Sequence, residues 1–131
     1  LREISYPEKY LSEIAHAIEA QSFSGGIVAE TLEAKIVQDA DRLDGLGAIG
    51  IARCFVTAGL LRRPLYSQGD AFCEHREPSD REFTLDHFYQ KLLRVAETLN
   101  TNAAKTEGAR RAGIMRRYLA DLRCEVESLL S

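Results

Sequence analysis

Three prolines in 131 residues, Pro7, Pro64 and Pro78, constrain this chain more than any other feature. A proline inside a helix removes a hydrogen bond and clashes with the preceding turn. The stretches between these prolines are therefore free to run as helices. Apolar residues recur within them every three or four positions, and no alternating run long enough for a strand occurs. The expected class is all-α, with residues 1–131 forming a single helical domain. A first helix should follow Ser5-Tyr6-Pro7, bury Leu11, Ile14 and Ile18, and end near Ser22-Phe23-Ser24-Gly25-Gly26.

A second helix should run from about Thr31 into the fifties on a stripe of Ile36, Ala40, Leu43, Gly47 and Cys54. Gly45, Gly47 and Gly50 cost helix propensity, which implies either close helix packing or a break near Gly45. Residues from about Arg63 to Phe83 read as a long loop, a length uncommon without a functional reason, and Tyr66 to Phe83 is a candidate cap over a cleft. Thr84 is the expected N-cap of a third helix carrying Leu85, Phe88, Leu92, Val95 and Leu99. A fourth, from about Thr106 to Leu130, should bury Met115, Tyr118, Leu119, Leu122, Val126 and Leu129.

Apolar residues make up 45% and charged residues 28% of the chain, as in ordinary globular proteins. No apolar run approaches the length of a membrane span, and no signal-peptide pattern opens the chain. Cys54, Cys73 and Cys124 are odd in number and far apart, which fits free thiols in a reducing, cytoplasmic setting. Cys73 and His75 alone are a weak metal pattern. The net charge of −3 argues against nucleic acid as a partner. The basic pairs Arg110-Arg111 and Arg116-Arg117 read as a solvated face pairing with acids.

Gly45-Leu46-Gly47-Ala48-Ile49-Gly50 fits the pattern GxGxxG, with Asp70 twenty residues beyond. A dinucleotide fold requires an apolar strand before the first glycine. Here Asp39, Asp41 and Asp44 precede it, and they make a poor buried strand and would repel a phosphate. We reject that reading.

The segment KIVQDADRLDGLGAIGIARCF, from Lys35 to Phe55, is the most informative. On a helix, Asp41 falls off the Ile36/Ala40/Leu43 stripe and can face a polar cleft. Asp39 and Arg42 are spaced to pair on one face. By spacing alone, a solvated, salt-bridged helix face is the plainer reading. Ala40-Asp41-Arg42-Leu43 nevertheless resembles the last motif of the HD superfamily of metal-dependent phosphohydrolases. HAIEAQSFSGG (16–26), ETLEAKIVQDADRLDGLGAIGIAR (30–53) and LDHFYQKLLRV (85–95) resemble one subfamily of small bacterial HD hydrolases, in the same order.

That resemblance implies an HD-domain-like helical bundle and a cytoplasmic hydrolase cleaving a nucleotide or another small phosphate ester. It implies a divalent metal (Mn, Mg, Fe, Co or Ni) that activates water. Asp41 takes the place of the family's later metal-binding aspartate, and His16 is a second candidate at the metal or substrate. Asp39 and Asp44 are candidates for catalysis or for orienting the metal's ligands, and Lys35, Arg42 and Lys91 for phosphate. The departures matter equally. His16, His75 and His87 are followed by Ala17, Arg76 and Phe88, so the family's His-Asp pair and first histidine are absent. Gln21 stands where relatives often have a histidine, which weakens a second metal site. His87, beside Asp86 at a helix start, reads as structural. The chain opens on Leu1 rather than Met, so we expect a piece of an HD domain without its N-terminal helices, inactive alone and with the metal absent or weakly held. The alternative is a non-catalytic helical module for a ligand or partner. A homodimer is an option for a chain with long apolar helices.

Overall fold

The computed structural model describes residue 4 and residues 6–21 and 26–130, with side chains to residue 128. Pro7 starts a 3-10 turn, Glu8–Tyr10, that leads directly into α1, Leu11–Ala20. The expected stop at 22–26 lies, except for Gly26, outside the described residues. Thr31 caps α2, Leu32–Asp44, its hydroxyl accepting from the Ala34 amide at 3.1 Å. Of the two outcomes the glycines offered, the break near Gly45 is the one observed: the chain turns by 64° at Gly45-Leu46 into α3, Gly47–Leu60, in place of one helix running into the fifties. Residues 61–85 form the expected loop. A π turn, Phe88–Leu92, runs into α4, Leu93–Val95, and a 3-10 turn, Ala96–Thr98. The last helix, α5, covers Asn102–Leu130, four residues longer at its start than expected. The class is all-α, with no strand among the described residues.

The main core joins the corner residue Leu46 to Leu85, Phe88, Leu92, Ala112, Met115 and their neighbours. Phe55, Phe88 and Tyr118 pin α3, the π turn and α5 together, with ring centroids 5.8–6.1 Å apart. In the third and fourth segments Leu85, Phe88, Leu92, Val95, Leu99, Met115, Leu119 and Val126 are buried as expected, Tyr118 and Leu122 are only partly buried, and the Leu129 side chain lies outside the described residues. Thr84 differs from its expected role. It is buried, and its hydroxyl donates to the Pro64 carbonyl, fastening the loop rather than capping a helix.

The faces of α1 and α2 depart from the apolar stripes. Ala17, Ala20, Ala29 and Ala34 form a small cluster that lets the two helices approach closely. Ile18 and Ile36 are 60% and 52% exposed, and Ala40 is also exposed. The buried polar residues of α2 are Gln38 and Asp39. Burial of such groups is tolerated only when they are hydrogen-bonded, and here they are. Gln38 Nε2 donates to the Ala20 carbonyl at the end of α1, and its Oε1 accepts from Asn100 Nδ2 at 2.8 Å. Asp39 accepts from the amides of Asn100 and Thr101, and from Asn100 Nδ2 and Thr101 Oγ1, all at 2.8–2.9 Å. A carboxylate therefore sits at the start of α5, where the helix dipole favours negative charge.

Burial pushes the Asp39 carboxyl up, but the Asn100 and Thr101 hydrogen bonds outweigh it and hold the group below its usual value. The stability that follows is fully present above the unfolded-state value of about pH 4 and is lost as pH falls through the lower folded-state value. Asp39→Ala should lower unfolding stability by roughly 2–4 kcal/mol, since it orphans several donors. Urea denaturation at pH 7 and pH 3 measures both effects. A wild-type loss of stability at pH 3 that the variant shows in full would contradict the assignment.

Candidate functional site

The turn between α2 and α3 is built to bring backbone very close to backbone. Gly47 takes φ +72°, a left-handed conformation suited to glycine. A Cβ on Gly50 would lie 2.1 Å from the Gly45 carbonyl oxygen, so only glycine fits there. Arg111 of α5 donates from Nη1 to the Leu43 carbonyl at 2.7 Å, satisfying one of the last carbonyls of α2, and Glu107 holds its Nε at 2.7 Å. Arg110 pairs with the same Glu107, so this part of the basic face pairs with acid as expected.

A cleft of about 460 Å³ lies against this corner. The end of α2 contributes Asp41, Arg42 and Asp44, and α3 contributes Arg53, Cys54 and Thr57. Arg63 follows from the loop, His87, Lys91 and Leu92 from the π-turn region, and Gln21 from the end of α1. Arg42, Arg53, Arg63 and Lys91 face the cleft with only Asp41 and Asp44 as carboxylates, in a chain whose net charge is −3. Arg53 pairs with Asp44, and Arg42 donates to the Thr98 carbonyl. The Cys54 thiol, pushed up to about 11 by burial, stays protonated and serves as packing.

The expected site residues divide into two groups. Asp41, Arg42, Asp44 and Lys91 come together in the cleft, and Asp41 is exposed there. Asp39 is buried, its oxygens engaged by the start of α5, so it orients a helix. Lys35 is not part of the cleft lining. Neither is His16, whose Nε2 accepts from the Glu30 amide at 3.0 Å. None of residues 66–83 lines the cleft, so the loop does not cap it as expected. The loop inserts Phe72 into the core instead. It is stapled by Arg76, which donates to both oxygens of the fully buried Asp86 and stacks over Phe83 at 5.0 Å.

Among the cleft residues outside the expected set are two arginines and a histidine: Arg53, Arg63 and His87. Arg53 sits nine residues from Asp44, across the helix break, and the break is what makes them neighbours. The His87 Nδ1 lies 2.8 Å from Asp80 Oδ2, a pairing across a loop that no periodicity reveals.

The described residues do not by themselves fit a metal ion. No three His, Cys, Asp or Glu side chains among them come close enough to share one. Asp41 is a single open carboxylate, whereas protein sites commonly use three or more ligands.

No protein-family model matches the chain. YpgQ of Bacillus subtilis is 34% identical over 120 residues, which cover 88% of this chain and 53% of YpgQ. A crystal structure from Lactobacillus plantarum superposes with a TM-score of 0.79 at 33% identity, covering 95% of this chain and 64% of that one. An HD-superfamily hydrolase from Bacillus thuringiensis superposes with a TM-score of 0.73 at 37% identity, covering 95% of this chain and 57% of its own. The chain is thus a structural homologue of HD-superfamily hydrolases, matched over part of their length. It spans about half the length of YpgQ. YpgQ has also been crystallised in complex with ADP.

Gly50→Ala should open the corner, because the clash is with backbone that cannot rotate away. We expect a loss of roughly 2–3 kcal/mol by urea denaturation, at the upper end of ordinary overpacking. Wild-type stability would show that the α2–α3 approach is looser than described.

Proposed function

We propose that this chain forms the phosphate-binding wall of an HD-type hydrolase acting on a nucleotide or a related phosphate ester. The observation that carries the reading is the excess of cationic side chains in a cleft beside Asp41, within a fold shared with HD hydrolases. The ADP complex of YpgQ supports a nucleotide as the ligand class. Arginine and lysine stabilise phosphate oxygens by charge-assisted hydrogen bonds, and arginine can do so in bidentate fashion. In this reading Lys91 and Arg63 contact phosphate directly. Arg53 is held by Asp44 and contributes through its remaining donors.

HD hydrolases typically use divalent metals. Asp41 is the carboxylate this chain offers to such an ion, and the other ligands must come from beyond the described residues. The 131-residue chain alone should therefore bind Mn²⁺ weakly and turn over little substrate. Three unpaired cysteines fit a reducing compartment, and we place the protein in the cytoplasm. No single helix among the described residues is long and apolar enough to cross a membrane.

The lack of a metal-ligand cluster among the described residues favours one other reading, a non-catalytic nucleotide-binding module. A single experiment separates the two. Phosphate and pyrophosphate release from a nucleotide panel with Mn²⁺ is followed for the full-length protein and its Asp41→Ala variant. Asp41 is exposed, so the variant should keep its melting temperature while kcat/KM falls by about 100-fold or more, as for loss of a metal ligand. A full-length protein that binds ADP yet hydrolyses nothing would establish the module. Unchanged turnover in Asp41→Ala would remove Asp41 from the site.

A further inference from the structure

The sequence presents His87 as a helix-start residue, but the fold puts its ring in the lining of the cleft, one helical turn from Lys91. Asp80 stands behind it and is not part of that lining. A carboxylate can only accept, so the 2.8 Å contact to Asp80 Oδ2 assigns the proton on that side to Nδ1. Among the described residues Nε2 has no hydrogen-bond partner. A carboxylate that orients an imidazole, leaving the far nitrogen for a ligand, recurs where histidine does chemistry.

The arrangement is fixed from several directions. The Asp80 amide donates to Gln90 Oε1 at 2.8 Å, tying the carboxylate to the same π turn that carries Lys91. Asp86, next to His87, is locked by Arg76 and by the Ser79 amide. The turn itself, Phe88–Leu92, has the widened geometry that often occurs at functional sites.

We propose that His87, oriented by Asp80, donates a hydrogen bond from Nε2 to a phosphate oxygen of the nucleotide in this cleft. The proposal rests on the phosphate-wall reading above and adds a named contact to it. His87 is a ligand-binding residue, and Asp80 is a positioning residue that acts through it. The imidazole would lie between the Asp80 carboxylate and the phosphate, beside the Lys91 ammonium, and it would carry a proton on each nitrogen.

The test is calorimetric binding of ADP and of inorganic pyrophosphate to the full-length protein, with His87→Gln and Asp80→Asn. His75→Gln serves as the control, since His75 is exposed and outside the cleft lining. His87→Gln should weaken both ligands about tenfold, in line with a hydrogen bond to a charged group, and Asp80→Asn should weaken them less. A long-range ¹H–¹⁵N spectrum of the histidine rings adds a signature that a packing role would not move. The His87 Nε2 resonance should shift to the protonated position on addition of pyrophosphate. If the wild type binds neither ligand, the phosphate-wall reading falls and this inference falls with it. If the wild type binds and His87→Gln binds equally well, the inference alone is overturned. If His87→Gln fails to fold, the wild-type Nε2 shift decides: its presence sustains the contact and its absence overturns it.

Discussion

The Asp39 carboxylate, buried against the start of α5, is the interaction on which the rest of this structure depends. It receives hydrogen bonds from residues 61 and 62 positions away in the chain. Gln38 beside it reaches back to the end of α1 and forward to Asn100. Two adjacent polar side chains of one helix thus fix three helices relative to each other. A half-satisfied polar cluster would be worse than an apolar one. Here each Asp39 oxygen accepts two hydrogen bonds, so the buried charge becomes an anchor.

That anchor works together with a second one at the other end of α2. Arg111 holds the Leu43 carbonyl, so α5 grips α2 both near Asp39 and at its final turn. The chain then turns by 64° at Gly45-Leu46, where Gly47 supplies the left-handed conformation and Gly50 the close approach to the Gly45 carbonyl. Asp41, Arg42 and Asp44 at the end of α2 line the cleft together with Arg53 of α3, His87 and Lys91, and Asp44 pairs with Arg53 across the corner. The cleft follows from how the corner is held. An acidic chain can present a locally cationic pocket because its acids are used elsewhere, Asp39 at α5 and Asp86 on Arg76.

Much of the fold was legible in the sequence. The long loop, the break at Gly45 and the buried faces of the later helices all follow from proline placement, glycine clustering and helical spacing. The faces of α1 and α2 did not. Spacing pointed to Ile18 and Ile36, but close packing through alanines and the burial of Gln38 and Asp39 turned those residues outward. A hydrophobic stripe cannot foresee a polar residue buried by a partner sixty positions away. The same limit applies to the candidate site. Asp41, Arg42, Asp44 and Lys91 were read from the motif and meet in the cleft, whereas Lys35 and His16 lie outside its lining. His87 reads as structural from the sequence because its place in the cleft depends on the loop that brings Asp80 to it.

The central claim is that the α2–α3 corner, set by α5, makes a cationic cleft for nucleotide phosphate. The most direct measurement is a crystal structure of the full-length protein grown with ADP. The account predicts phosphate oxygens within hydrogen-bonding distance of Lys91, Arg63 and His87, with Asp39 still joined to Asn100 and Thr101. ADP bound elsewhere on the protein, with the corner cleft filled only by water, would contradict it.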